Sequence, residues 1–202
     1  MSGPPSHKCL HCGQDDLAKN KAYHIDCWSK IKDGIATIPP IYRQLRPITP
    51  VRFVNRKPFI TILGECGTGK SVAAAELTEH EARASGRIPK WINCAEMMME
   101  IRASFGQRSC ETEIGLVRRF TNIELLVIDD LAAERVSEFS ITTLYLILNR
   151  RGEYSRQTII TSNLALDVVA ARLDDRIANR LARYGSVVTL ARNNIVSSKG
   201  DH

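Results

Sequence analysis

The sequence predicts an α/β fold built around a phosphate-binding loop and strands buried on both faces, and three stretches predict it. The first is Gly64-Glu65-Cys66-Gly67-Thr68-Gly69-Lys70-Ser71, directly after the apolar run Phe59-Ile60-Thr61-Ile62-Leu63. It fits G-x-x-x-x-G-K-[ST], in which inward-pointing backbone N–H groups cradle phosphate oxygens. The second is Glu124-Leu125-Leu126-Val127-Ile128-Asp129-Asp130, an apolar run without alternation that ends in two carboxylates. Such runs suit parallel strands covered on both faces. The third, Gln157-Thr158-Ile159-Ile160-Thr161-Ser162-Asn163, repeats the pattern with a polar end.

The loop justifies itself locally. Pro58 bounds the strand, and Val72-Ala73-Ala74-Ala75-Glu76-Leu77 is rich in good helix formers. The loop therefore joins a strand to a helix whose N-terminus carries partial positive charge. Lys70 would reach the β- and γ-phosphates of ATP, and Ser71 would offer a hydroxyl to Mg²⁺. Cys66 projects from the same loop, which predicts that thiol reagents block nucleotide binding. Asp129, at the end of its strand where α/β ligand sites lie, would hold Mg²⁺ directly or through its water shell. Asp130 would polarise or orient the attacking water. Asn163 sits where a side-chain amide can meet the γ-phosphate or that water.

At 202 residues, the chain is long enough for one α/β core plus a small appendage. Its formal net charge of +6 makes an acidic partner plausible, nucleic acid being the commonest. No apolar run reaches membrane-spanning length, and Met1-Ser2-Gly3-Pro4-Pro5 lacks a signal-peptide apolar region. A cytoplasmic protein with no membrane partner is expected.

The six cysteines are not spaced as a disulfide framework. Three of them, with a histidine, form Cys9-x-x-Cys12 and His24-x-x-Cys27, two paired-ligand turns that suit tetrahedral Zn²⁺. His7 and His11 are alternative ligands, and Trp28 could cover the site. A redox C-x-x-C and a chance spacing are the competing readings, but a redox pair should open a helix within a βαβ unit, and nothing here allows one. So short a module has little core of its own, so metal would supply most of its folding free energy.

The remaining elements follow in order. Pro39-Pro40 excludes a helix interior across Ile38–Tyr42. Between Ile35 and Gly64 there is no acidic residue, while Arg43, Arg46, Arg52, Arg56 and Lys57 are basic, giving either a nucleic-acid contact strip or a solvated linker. Lys90–Cys94 reads as a strand, with helices over 95–105 and 111–120. Met97, Met98 and Met99 read as a packing patch, and Cys110 as a cysteine in helical surroundings. Ser137 caps a helix to about Arg151, which Gly152 ends. Helices over 166–173 and 176–184 follow, the second capped by Asp174 or Asp175 and carrying Arg176, Arg180 and Arg183 beside its apolar stripe. Val187–Leu190 is a last strand. The expected domains are a zinc-binding module at 1–34, a basic linker at 35–57, an ATPase core at 58–192 and a flexible tail at 193–202.

Several motifs recur in a familiar order: Ile38-Pro39-Pro40-x-Tyr42, the loop at 64–71, Leu126-Val127-Ile128-Asp129-Asp130-Leu131-Ala132-Ala133-Glu134, Asn149-x-Arg151, Thr161-Ser162-Asn163 and Arg176-Ile177-x-x-Arg180-Leu181. Together they resemble the bacterial DnaC/DnaI helicase loaders, and IstB-type transposition ATPases share the pattern. Over residues 38 to 190 the resemblance implies a P-loop AAA+ core, three layers α/β/α with a five-stranded parallel sheet. It makes Asn163 sensor 1, Arg180 an arginine finger acting in trans, and Arg176 a second basic position beside it. Sensor 2 has no clear counterpart, Arg192 being the candidate, and a separate helical lid is missing. The implied partners are the replicative hexameric helicase, bound through the N-terminal module, single-stranded DNA, and further copies of the chain in a ring or helical oligomer. The implied function is ATP-dependent loading of the helicase. Two rivals are a transposition helper of the IstB type and a zinc-dependent DNA- or protein-binding adaptor with ATP as a switch.

Overall fold

A computed structural model describes residues 8–14, 23–47, 51–52, 57–104, 112–132, 137–191 and 197–198. In chain order its elements are α1 (Ile25–Ala36), α2 (Pro40–Arg43), β1 (Leu45–Arg46), β2 (Phe59–Leu63), α3 (Lys70–Ser85), β3 (Pro89–Asn93), α4 (Cys94–Ala103) and α5 (Glu113–Asn122). Next come β4 (Leu125–Asp129), α6 (Glu138–Glu153), β5 (Gln157–Ser162), α7 (Leu166–Arg172), α8 (Asp175–Tyr184), β6 (Gly185–Thr189) and β7 (Ser197–Ser198). Arg56, Cys110, Glu134 and Arg192 lie outside the described residues, as does His7.

Five strands form one parallel sheet in the order β3-β4-β5-β2-β6, as the resemblance implies, and β1 pairs antiparallel with β7. Alternate residues along the strands feed two separate cores. Phe59, Leu126, Ile128 and Ile160 pack under α4, α5, α6 and α8, with Met97, Met98, Leu144, Leu148 and Leu181. Ile60, Ile62, Leu125, Val127 and Ile159 pack under α1 and α3, with Ile31, Ile35, Ala73, Ala74 and Leu77. Every residue of β2 and β4 is buried, which explains apolar runs without alternation. The result is three layers, α/β/α.

The second core crosses the boundary expected at residue 34. Helix α1 runs through that position, and Cys9, Tyr23 and Cys27 belong to the same buried cluster as the β2 and β4 side chains. In the expected linker, Pro40 opens the short α2, where its missing N–H costs nothing.

Gly152 departs from expectation. It lies inside α6 rather than ending it, and a Cβ there would sit 2.1 Å from the ring of Tyr184. This glycine lets α8 lie close on α6. Its neighbour Arg151 is wholly buried and has no carboxylate partner among the described residues. Its guanidinium donates to the carbonyls of Phe120, Thr121 and Ile123 at the end of α5, to the carbonyl of Gln157, and to Thr158 Oγ1 at 2.8 Å. Burial lowers its proton affinity, and the nearby charge of Arg156 adds to that effect. The carbonyls at the negative end of α5 offset this by favouring the cation. Arg151 thus ties α5, α6 and β5 together. Among the described residues no helix is long and apolar enough to cross a membrane.

Candidate nucleotide site

The parallel sheet brings the polar strand ends to one edge, where a cleft of about 350 Å³ opens. The loop at 64–71 forms its floor. Gly64 takes φ 151°, and a Cβ there would stand 2.5 Å from the Leu190 carbonyl oxygen, so no other residue fits this turn. Gly69 opens α3 in the left-handed conformation. Within the loop, Thr68 Oγ1 donates to the Glu65 carbonyl at 2.9 Å and Lys70 Nζ donates to the same oxygen at 2.7 Å. Burial lowers the Lys70 pKa, opposed by the negative charge of Cys66, Asp130 and Asp129. Cys66 itself is exposed at the loop tip.

Sheet order decides what faces the loop. β5 lies between β2 and β4, so Thr161 and Asn163 line the same cleft as the loop and the carboxylates. Asp129 Oδ1 accepts from Ser71 Oγ at 2.9 Å and from Thr161 Oγ1 at 2.6 Å. Burial raises the Asp129 carboxyl above its ordinary value, the two hydroxyls pull the other way, and the neighbouring Asp130 pushes it up again. Two cis ligands of an octahedral Mg²⁺ with bonds of about 2.1 Å stand about 3.0 Å apart. The Ser71–Asp129 oxygen pair therefore fits that ion.

Asp130 adopts φ 62°, a conformation that costs a non-glycine residue about 1–2 kcal/mol. Two contacts hold it: Asp130 N–H donates to Thr161 Oγ1 at 2.8 Å, and Asn163 Nδ2 donates to Asp130 Oδ1 at 2.6 Å. Asp130 and Asn163 thus face the cleft as a pair. The sequence names Thr161 only as part of the Thr161-Ser162-Asn163 motif and gives it no role of its own, because a threonine inside a β-branched run reads as strand filler. Tyr42 and Asn93 also line the cleft. Asn93 lies level with Asp129 in the sheet, and its side chain caps α4 at Ala95 N.

Arg176 and Arg180 do not line this cleft. Arg180 Nε donates to Asn149 Oδ1 at 2.6 Å, and its Nη2 to Tyr145 OH at 3.2 Å. Arg176 forms a bidentate pair with Asp174, at 2.7 Å for the Nη2 contact, and stacks over Tyr145 with its guanidinium carbon 4.8 Å from the ring centroid. Hydrogen bonds to Arg176 hold the Asp174 carboxyl below its ordinary value. Asn149 thus has a defined neighbour, which its place in the sequence did not reveal.

The N-terminal cysteines converge as well. The sulfurs of Cys9, Cys12 and Cys27 all lie within 4.8 Å of one another. Three thiolates around one Zn²⁺ at about 2.3 Å stand about 3.8 Å apart, so the cluster fits the ion. Burial works against the Cys9 thiolate, but backbone N–H groups of Cys12, His24 and His11 outweigh it and bring the thiol down to about 6. Burial and the neighbouring sulfurs push Cys27 up to about 12. The ring of His24 is not brought into the cluster. His24 occupies the N-cap of α1, donates its backbone N–H to Cys9 Sγ at 3.2 Å, and turns Nδ1 toward Asp26 at 3.8 Å. His11 is directed away, to the Gly86 carbonyl at 2.9 Å. Trp28 stacks on Tyr23, with ring centroids 5.7 Å apart.

Comparison with known proteins agrees with this geometry. Residues 38–193 match the family described as IstB-like ATP binding protein. The replicative helicase loader DnaC of Buchnera aphidicola subsp. Baizongia pistaciae is 27% identical over 130 residues, covering 64% of this chain and 52% of the relative. DnaC of Escherichia coli K12 is 27% identical over 118 residues, covering 58% of this chain and 47% of the relative. An ATP-binding protein in an insertion sequence of Mycobacterium tuberculosis is 26% identical over 145 residues, 67% of this chain and 56% of the relative. The chain spans about half the length of the curated relatives it matches. The crystal structure of the DnaC helicase loader superposes with a TM-score of 0.58 at 19% identity, over 68% of this chain and 81% of that one. AMPPCP-bound DnaA from Aquifex aeolicus gives 0.56 at 16% identity, over 93% of this chain and 50% of that one.

Proposed function

The chain belongs to the IstB-like ATP-binding protein family, and we propose that it is an AAA+ ATPase that loads the replicative helicase onto single-stranded DNA. The observation that carries the chemistry is the network joining Ser71, Asp129, Thr161, Asp130 and Asn163 across three strand ends. In this reading the loop amides and Lys70 hold the ATP phosphates, and Ser71 with Asp129 holds Mg²⁺, which neutralises charge on the β- and γ-oxygens when bound. Asp130, kept in its strained turn by Thr161, orients the attacking water and accepts its proton. Asn163 reports the γ-phosphate to Asp130 through their shared hydrogen bond.

Arg180 is read as acting on a neighbouring subunit in a ring or helical oligomer, with Arg176 beside it. This is supported by their standing outside the lining of their own cleft and by the hold of Asn149 and Tyr145 on Arg180. Cys9, Cys12 and Cys27 would hold Zn²⁺, and His24, which has the spacing of a fourth ligand, would complete the set only by turning its ring from Asp26 to the sulfurs. The acid-free stretch from Ile35 to Gly64 would meet DNA phosphates. Helicase as the partner is supported by the DnaC relatives. A transposition helper is the second reading, favoured by the insertion-sequence relative, which aligns with a larger share of this chain than the DnaC proteins do.

An arginine finger contributes about a thousandfold or more to turnover. Arg180→Ala is therefore expected to abolish ATP turnover and leave ATP affinity intact; parallel loss of both would place Arg180 in its own chain's site. A pull-down of the tagged chain against purified replicative helicase and against a transposase separates the two partners.

A further inference from the structure

At the opposite edge of the sheet from the first cleft lies a second one, of about 250 Å³. One wall is Leu10 and His11, the two residues between Cys9 and Cys12. The facing walls come from the end of α3 and from the turn between α6 and β5, and they carry Arg87 and Arg156. The Cys9–Cys12 turn is docked rather than loose. Gly86, at φ 73°, has no room for a Cβ, which would meet the Tyr23 ring at 2.9 Å and the His11 N and Leu10 C atoms at 3.1 Å. His11 Nδ1 bonds the Gly86 carbonyl oxygen at 2.9 Å, and the Tyr23 hydroxyl donates to the Arg83 carbonyl.

Charge in this cleft is unbalanced. Its carboxylate, Glu124, is engaged by Ile88 N–H at 2.7 Å and faces His11 at 3.9 Å. Neither Arg87 nor Arg156 has an ion pair or side-chain hydrogen bond among the described residues. Arg156 also lies close enough to the buried Arg151 for the two charges to repel. Exposed apolar surface rims the same opening: Leu10 is 56% exposed and Tyr154 69%. A guanidinium pair recognises carboxylates, and an aromatic and an aliphatic rim suit the apolar residues beside one. Bare phosphate backbone would leave that rim unused.

We propose that this cleft is a docking site for a protein partner, taking an acidic side chain flanked by apolar residues, and that the metal-binding turn builds one of its walls. The chemistry would be a carboxylate between Arg87 and Arg156, with its apolar neighbours over Leu10 and Tyr154. The inference rests on the zinc reading above, because Leu10 and His11 are held in place by the cysteines on either side of them.

The test uses the zinc-loaded full chain and a random heptapeptide display library. Enriched peptides are expected to carry Asp or Glu beside Leu, Ile or Phe. The best synthetic peptide is expected to lose about tenfold in affinity with Arg87→Ala and again with Arg156→Ala, each Arg→Lys variant recovering part of it. Circular dichroism and fluorescent-ATP binding should be unchanged in all four variants. Chelation of the metal should weaken the peptide by a similar factor. Enrichment without carboxylates, or affinity indifferent to both arginines in folded variants, overturns the proposal. Binding of a labelled single-stranded oligonucleotide that falls with both substitutions, without any peptide, assigns the cleft to phosphate and overturns it too. A Cys9→Ser chain that retains full zinc content sinks the zinc reading instead, a separable failure.

Discussion

Thr161→Val probes the hinge of the nucleotide site with almost no change in shape. Thr161 is 1% exposed, and its one hydroxyl proton is committed to Asp129 Oδ1 at 2.6 Å while the hydroxyl oxygen accepts Asp130 N–H at 2.8 Å. Valine removes both contacts. A hydrogen bond to a charged group is worth about 1.5–3 kcal/mol, and an orphaned buried donor costs about 1–3 kcal/mol. Allowing for relaxation, the loss should be about 2–5 kcal/mol, out of a total stability of about 5–15 kcal/mol. The left-handed turn at Asp130 then loses one of its two anchors, and a displacement of about 1 Å can cost about a hundredfold in rate.

The pH dependence carries a sign. Burial already raises the Asp129 carboxyl, and the Thr161 hydroxyl is the first of the groups pulling it down. Removing that hydroxyl moves the carboxyl further up. Turnover that needs the carboxylate should then fall away at a higher pH on its acid side than in the parent. Urea unfolding followed by circular dichroism reads the stability, and ATP turnover across the acid limb reads the rest. Thr161→Ser should restore both. A valine variant with the parent's urea midpoint and acid limb would refute the reasoning.

Two further substitutions test the scaffold. Arg151→Met leaves the carbonyls of Phe120, Thr121, Ile123 and Gln157 without their donor in a buried layer; a loss of about 3–5 kcal/mol is expected, read as a melting point lower by roughly 10 °C. Gly152→Ala should destabilise by about 1–3 kcal/mol through the clash with Tyr184, despite alanine's better helix propensity; Gly152→Ala with Tyr184→Ala should cost less than the two single losses together, whereas a glycine serving as a helix stop would show simple additivity.

The sequence was most readable where chemistry needs fixed spacing. The loop at 64–71 and the carboxylates at 129 and 130 are local patterns, and the strands beside them are apolar because both faces are covered. What was unreadable depends on strand order. Thr161 serves Asp129 and Asp130 only because β5 lies between β2 and β4. Arg151 looks like one more surface basic residue until the end of α5 closes over it. Gly152 carries a stop signal by composition, yet the approach of Tyr184 from α8 is a tertiary fact. His24 has the ligand spacing, but the same residue caps α1, and the helix geometry turns its ring to Asp26.

The two ends of α3 connect these observations. The helix carries Lys70 and Ser71 in its first turn and meets the Cys9–Cys12 turn at Gly86, sixteen residues on, a span of about 24 Å. It is locked into the second core by Ala73, Ala74, Leu77 and Ala82, against Ile31, Ile35 and Ile38 from the N-terminal segment. Each of those three isoleucines contributes about 1.5–3 kcal/mol of burial. Swinging the N-terminal segment away as a free arm would expose all three, at roughly 5–9 kcal/mol, which is comparable to the stability of a whole domain. A partner that engages Leu10 and His11 therefore meets a surface fixed to the ATPase core. Any nucleotide-dependent shift of α3 must then move the second cleft with it as one body.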